Sequence, residues 1–129
     1  MNAFKRDILL ITDLIILNIT ETALLTGMDI RDADAMALAA EMLLTLGPKA
    51  VLLRGGDFRE NFETNLFVTD SMQLTFTTPR LQRASLTGFQ EAGNAMACAV
   101  AHGLSCNLPY DQAITDALRF TKGLYLAGL

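Results

Sequence analysis

Three short constellations in this sequence carry residue types that can do chemistry. Asn18-Ile19-Thr20-Glu21 sets an amide and a carboxylate three residues apart, directly after an apolar run. Oxygen ligands of this kind suit Mg²⁺, which keeps several of its waters. The same spacing suits helix capping, with Asn18 or Thr20 at the N-cap and Glu21 favoured by the helix dipole. Arg54-Gly55-Gly56 combines a guanidinium that can meet a phosphate with glycines that let the backbone come close to a ligand. A plain turn with a solvated arginine is the alternative. Glu91-Ala92-Gly93-Asn94 falls where a loop is expected to pass into a helix. Free backbone N–H groups there make a ready anion site, whereas a closely packed helix that merely tolerates Gly93 would do nothing of the kind.

Other reactive side chains read as structural. His102, the single histidine, stands near a helix end without a Ser or Cys nucleophile placed beside it by a recognisable motif, and is expected to be a surface or capping residue. Cys98 and Cys106 lie eight residues apart in one helical stretch. That puts their Cα atoms about 12 Å apart by helical rise, too far for a disulfide. They are expected to be buried free thiols of a reduced cytosolic protein. The six methionines are scattered and read as core filling.

The elements that must position these groups follow from the hydrophobic pattern. Asp13 to Asn18 is a short apolar run, as expected of a parallel strand buried on both faces. A short helix from Thr20 is stopped by Gly27, and a longer one over Asp32 to Leu46 places Met36, Ala39, Ala40, Leu43, Leu44 and Leu46 at helical spacing before Gly47-Pro48 ends it. Ala50 to Leu53 reads as a second buried strand ended by Gly55-Gly56, with a polar loop over Asp57 to Glu63. Leu66 to Thr69 and Gln73 to Thr77 alternate around Asp70-Ser71 in the pattern of an antiparallel hairpin. Arg80 to Gln90 reads as a loop, Ala92 to Leu104 as a helix, and Pro109 opens a last helix running to about Leu126. Met1 to Leu10 reads as a lead-in or the end of a helix. Strands separated by helices imply an α/β sheet with parallel crossovers.

Composition narrows the function classes. The chain has 129 residues, 51% of them hydrophobic, and a net charge of −4. One domain is expected at this length, and so apolar a chain is expected to cover some surface with a second copy or a partner. No cluster of Lys and Arg supplies a footprint for nucleic acid. The apolar stretch from Ile8 to Leu17 is broken by Asp13 and falls short of the ~20 residues that span a bilayer. It is read as a strand of a cytoplasmic protein, not a membrane or leader segment.

Taken in order, the motifs have a wider likeness. Asn-x-x-Glu at a strand end, the helix over Ala35 to Gly47, Ala50-Val-Leu-Leu-Arg-Gly-Gly56, a hairpin ending Thr78-Pro-Arg-Leu81, and a glycine-containing loop entering a helix resemble the second half of hydroxymethylpyrimidine (phosphate) kinases. Pyridoxal kinases and ribokinases are more distantly similar. The likeness covers about Asp13 to Leu126. It implies a single ribokinase-like, Rossmann-like αβα half-domain over residues 1–129, with parallel strands, an antiparallel hairpin and helices on both faces of the sheet.

The resemblance further implies ATP and Mg²⁺ as cofactors. Asn18 and Glu21 match the family's metal-organising Asn-x-x-Glu. Arg54, Gly55, Gly56 and Asp57 match its Lys-Gly-Gly-His segment near the nucleotide, with the Lys and His replaced. Counting back from the last helix sets the family's Gly-Thr-Gly-Cys, which provides the anion hole and the general base, on Glu91, Ala92, Gly93 and Asn94. An Asn amide has no useful basicity, and a carboxylate at Glu91 opposes the γ-phosphate. A register without a gap instead sets Glu91 at the base position. The family's first half, which grips the pyrimidine, has no counterpart in these residues. The expectation is a kinase-like chain inactive on its own, either a homodimer or completed by another chain that supplies the missing half. A fragment of an active kinase and a non-catalytic binding or oligomerisation module are the alternatives.

Overall fold

The computed structural model describes residues 13–59, 62–79 and 86–126, with side chains at 13–58, 62–78 and 95–120. The chain divides into two compact units, Met1–Arg80 and Leu81–Leu129.

In the first unit the described elements are β1 (Leu14–Asn18), α1 (Ile19–Thr26), α2 (Ala33–Thr45), β2 (Ala50–Arg59), β3 (Phe62–Thr69) and β4 (Gln73–Pro79). The four strands form one sheet in the order β1-β2-β3-β4. β1 runs parallel to β2, with Leu14 opposite Ala50 and Asn18 opposite Arg54. β2, β3 and β4 follow antiparallel, Val51 pairing with Val68 and Leu66 with Thr75. Two-residue side-chain alternation then gives one face Val51, Leu53, Leu66 and Val68. Those four join Ile30, Met36, Ala39, Ala40 and Leu43 in a single buried cluster. The helix partners recur at i, i+3, i+4 and i+7 from Met36, one stripe of α2, and the two alanines let the helix lie close to the sheet.

Sequence signals set both helix ends. Asp32 caps α2, its carboxylate accepting from the Ala35 N–H at 2.8 Å. α1 stops where Gly27 turns left-handed at φ 72 and gives its N–H to the Ala23 carbonyl at 2.9 Å.

Three expectations are corrected in this unit. β2 does not end at Gly55-Gly56 but continues to Arg59, and β3 begins at Phe62. The polar stretch over Asp57 to Glu63 is therefore the far end of a hairpin, because its residues pair across the ladder from Gly56–Thr64 to Arg59–Phe62. The strand β1, expected to be buried on both faces, is half-buried at all five residues. It sits at a sheet edge, with β2 as its one neighbour among the described residues. The methionines, read as core filling, divide: Met36 is buried, whereas Met42 and Met72 are exposed.

The second unit is a helical hairpin of α3 (Leu86–Ser105) and α4 (Tyr110–Leu126). Met96 and Val100 of α3 are buried, as are Ala113, Ile114 and Ala117 of α4. A Cβ added at Gly103 would lie 2.9 Å from the Cβ of Ala113, so glycine is what permits this separation between the helices. The turn is a Schellman motif: Leu108 N–H donates to the Gly103 carbonyl at 3.1 Å and Asn107 N–H to the Leu104 carbonyl at 3.0 Å. Asn107 takes the left-handed position at φ 62. α3 begins at Leu86, six residues before the helix expected from Ala92. Gly88 reads as part of a loop but costs a helix only about 1 kcal/mol relative to alanine, which the surrounding helix formers outweigh.

Candidate functional site

The groups singled out in the first unit meet at the carboxyl end of β1, level with the middle of β2. In an open α/β sheet that edge is where ligands bind. Asn18 closes β1 and caps α1, and its register partner across the ladder is Arg54. The metal-side and phosphate-side motifs thus stand on adjacent strands at the same level.

Asn18 and Glu21 form a reciprocal capping box. Asn18 Oδ1 accepts the Glu21 N–H at 2.8 Å, and Glu21 Oε1 accepts the Asn18 N–H at 2.9 Å. Beneath them the buried Thr22 hydroxyl donates to the Asn18 carbonyl at 2.7 Å. Capping is therefore a realised role of this pair. Glu21 is exposed, and its carboxylate has a second oxygen beyond the one that takes the Asn18 N–H. Among the described residues, no group of three or more His, Cys, Asp and Glu side chains is arranged to hold a metal. What the chain offers fits a hydrated Mg²⁺ held mostly by its waters and by a ligand's phosphates, since Mg²⁺ seldom has an all-protein cage.

Arg54, Gly55, Gly56 and Asp57 are part of the strand β2, not of a terminal turn. Gly55 is left-handed at φ 79. Its N–H is taken by the side-chain oxygen of Asn65 at 3.2 Å. A Cβ at Gly56 would lie 2.9 Å from the Thr64 carbonyl oxygen and 3.2 Å from the Met36 sulfur, so no side chain fits. The second glycine is explained by packing and the first by backbone angle. Arg54 is half-buried and Asp57 exposed.

Asn65 is a site the sequence hides: it is an amide just ahead of Leu66-Phe67-Val68, and the strand that holds it begins at Phe62, four residues before the expected start at Leu66.

In the second unit, Glu91, Ala92, Gly93 and Asn94 lie in the body of α3, and their side chains fall outside the described residues. The expected anion site on Ala92 and Gly93 is not supported by the backbone, because an α-helix leaves free only its first N–H groups. Within the helix those belong to Leu86 through Gly88. His102 is exposed in the last turn, as expected, with Nε2 3.8 Å from the Cys106 sulfur. Cys98 and Cys106 are free, yet both are exposed, not buried. With His102, Asp116 and Phe120 they line an open groove of about 700 Å³ to which both helices contribute. No helix among the described residues is long and apolar enough to cross a membrane.

Comparison with known proteins agrees with this layout. A family model described as phosphomethylpyrimidine kinase matches residues 1–128. The hydroxymethylpyrimidine/phosphomethylpyrimidine kinase of Rhizobium meliloti is 31% identical over 101 residues, covering 78% of this chain and 37% of that protein. Its counterpart from Mycobacterium leprae is 32% identical over 110 residues, covering 81% of this chain and 37% of the relative. Among solved structures, an ADP complex of Bacillus subtilis pyridoxal kinase superposes with a TM-score of 0.79 at 22% identity, over 92% of this chain and 44% of that one. The phosphomethylpyrimidine kinase of Clostridium difficile gives a TM-score of 0.73 at 20% identity, over 92% of this chain and 45% of the other. The fold is thus the ribokinase-like one these kinases share, and the chain spans under half the length of each. By sequence it belongs to the phosphomethylpyrimidine kinase family of thiamine biosynthesis.

Proposed function

We propose that this chain is the nucleotide-side half of a hydroxymethylpyrimidine-kinase-type protein, that it binds ATP with Mg²⁺, and that it transfers no phosphate by itself. The observation that supports this reading is the registry of Asn18 with Arg54 on adjacent parallel strands. With the exposed Glu21 in the first turn of α1, this places a carboxylate for a hydrated cation near a guanidinium for a phosphate. Gly55, Gly56 and Asp57 lie next in line for the nucleotide. The inactive reading draws on the relatives' remaining length, more than half of each, and on the register that sets Asn94 at the base position, where an amide can orient a hydroxyl but not accept its proton, although that register puts its anion hole in the body of α3. ADP and AMP-PCP complexes of similar pyridoxal kinases are in keeping with a nucleotide ligand.

A second reading is favoured by the start of α3. With Leu86 as its first residue, the free N–H groups lie at Gly88 and its neighbours, and Glu91 follows in the second turn. That is the arrangement of the ungapped register, with an anion hole near Gly88 and a carboxylate base at Glu91. The chain would then be one part of an active kinase, in the cytoplasm, completed by residues that bring the pyrimidine pocket and pair with the open side of β1. A second copy on that strand, giving a homodimer, is the competing occupant.

The discriminating experiment is titration with Mg²⁺ and a non-hydrolysable ATP analogue, alongside a turnover assay with ATP and hydroxymethylpyrimidine. Binding without product is expected of the chain alone. Product formation overturns the inactive reading, and the absence of any binding or thermal shift leaves a non-catalytic module. Turnover that appears on adding the family's first half, and is lost in Glu91→Gln, establishes the second reading.

A further inference from the structure

The ladder between β2 and β3 is broken at one place. Leu53 pairs with Leu66, and the next pair is Gly56 with Thr64. Between these pairs β2 has two residues, Arg54 and Gly55, where β3 has one, Asn65. This is a β-bulge, a device that bends a strand and re-aims a side chain. Arg54 is one of the two residues in it.

Asn65 is the single residue opposite that bulge, and its amide is fully engaged. Oδ1 accepts the Gly55 N–H at 3.2 Å. Nδ2 donates to the Phe76 carbonyl and to the Thr78 hydroxyl, each at 3.3 Å. A reversed amide would turn its N–H₂ toward the Gly55 N–H and its oxygen toward the Phe76 carbonyl, so the orientation is fixed by the partners. Asn65 is 2% exposed. A buried amide is costly unless bonded, and Asn is disfavoured within strands. Its place here is explained by the bonds it makes, which join β2, β3 and β4 at the point where backbone pairing fails.

We infer that Asn65 is a positioning residue: its amide locks the Arg54–Gly55 bulge and thereby holds Arg54 beside Asn18, in the orientation that receives the ligand's phosphates. The phosphate part rests on the nucleotide reading above; the locking of the bulge does not.

The test uses the full chain and four proteins: wild type, Asn65→Ala, Asn65→Asp, and Leu43→Ala as a control in the α2 core. Amide hydrogen exchange is followed at Gly55, and binding of Mg²⁺ with a non-hydrolysable ATP analogue is titrated well below each melting temperature. In Asn65→Ala, Gly55 protection is expected to fall at least tenfold beyond any global loss. Nucleotide affinity is expected to fall by a similar factor. Asn65→Asp keeps an oxygen toward the Gly55 N–H and should recover much of both, while Leu43→Ala should lower protection evenly without singling out Gly55. If Asn65→Ala does not fold, the Asp variant against wild type decides, with Gly55 protection kept and protection around Phe76 and Thr78 lowered. Unchanged Gly55 protection, or a loss no larger than in the control, overturns the inference. Lost protection with undiminished nucleotide binding overturns its phosphate part. A wild-type chain that binds no nucleotide defeats the functional reading instead, and the exchange data still decide the bulge.

Discussion

Glu21→Gln separates the two jobs assigned to the Asn18–Glu21 pair. A glutamine at the third helical position still accepts the N-cap N–H, so the capping box survives the change. What is lost is the negative charge near the N-terminus of α1, worth about 0.3–1 kcal/mol and at the low end for an exposed carboxylate. For 129 residues the unfolding entropy is about 0.27 kcal/mol per degree. The free protein should therefore melt within about 2 °C of wild type. Asn18→Ala, which removes the cap oxygen taken by the Glu21 N–H, costs about 1 kcal/mol. Its melting point should fall by about 4 °C.

The response to ligand is where Glu21→Gln should show its effect. A ligand at a hundred times its Kd stabilises the native state by about 2.7 kcal/mol, which is about 10 °C here. If the second oxygen of Glu21 meets the waters of a bound cation, a charge-assisted contact worth about 1.5–3 kcal/mol is weakened. Even at the low end, Kd rises about tenfold, and the ligand-induced shift falls to roughly half at the same concentration. The assay is thermal denaturation of wild type, Glu21→Gln and Asn18→Ala, with and without Mg²⁺ and the ATP analogue. A Glu21→Gln protein that melts as low as Asn18→Ala when free refutes the capping box. One whose ligand-induced shift equals that of wild type refutes the cation role.

Gly27 has nothing within 4 Å of a built Cβ and a φ of 72. Gly27→Ala should therefore cost the purely conformational ~1–2 kcal/mol, and Gly27→Asn visibly less, read by denaturant unfolding. Gly56→Ala meets the Thr64 backbone oxygen at 2.9 Å; it should lose about 1–3 kcal/mol by overpacking, with no relief from any rotamer choice. Cys98 and Cys106 are both exposed, so a thiol reagent should label both in the native protein without denaturant; one that reacts only on unfolding contradicts the placement of α3.

The parts of this fold that were legible in the sequence are those where local chemistry and tertiary packing agree. α2 was readable because Met36, Ala39, Ala40 and Leu43 repeat at helical spacing and Asp32 and Gly47 flank them. Gly27, Asn18 and the Asp70-Ser71 turn were readable for the same reason. The misreadings share one cause: a glycine or polar residue was given its local meaning where the sheet or helix overrode it. Gly55-Gly56 looked like a stop, yet β3 supplies partners beyond it and Asn65 bonds the exposed N–H. Gly88 looked like loop but lies inside α3. The cysteines looked buried by type, but nothing in one helix's pattern says which of its faces the second helix will take. The site divides along the same line. The Asn18–Glu21 half of the proposed site is local, three residues apart in sequence; the Arg54–Gly55 half sits at a bulge whose partner, Asn65, lies ten residues on in another strand.

β1 shows the same tension between sequence and setting, and there it has a functional meaning. Leu14-Ile-Ile-Leu17 has the unbroken apolar character of a strand with neighbours on both sides and cover on both faces. All five residues of β1 are only half-buried, and the described sheet pairs one edge of it. Burying these side chains fully would contribute about 25 cal/mol for each Å² removed from water. Among the described residues no strand pairs with the other edge of β1, and a parallel edge left so has a row of backbone groups ready to pair. Both terms favour an added strand beside β1, and that strand would lie next to Asn18, at the carboxyl end where Arg54 also stands. Completion of the sheet and completion of the site are then one event. Whatever covers β1 also walls the ligand edge, so occupancy of that edge should alter nucleotide affinity as well as stability. The metal-side pair would sense its partner through the strand that carries it.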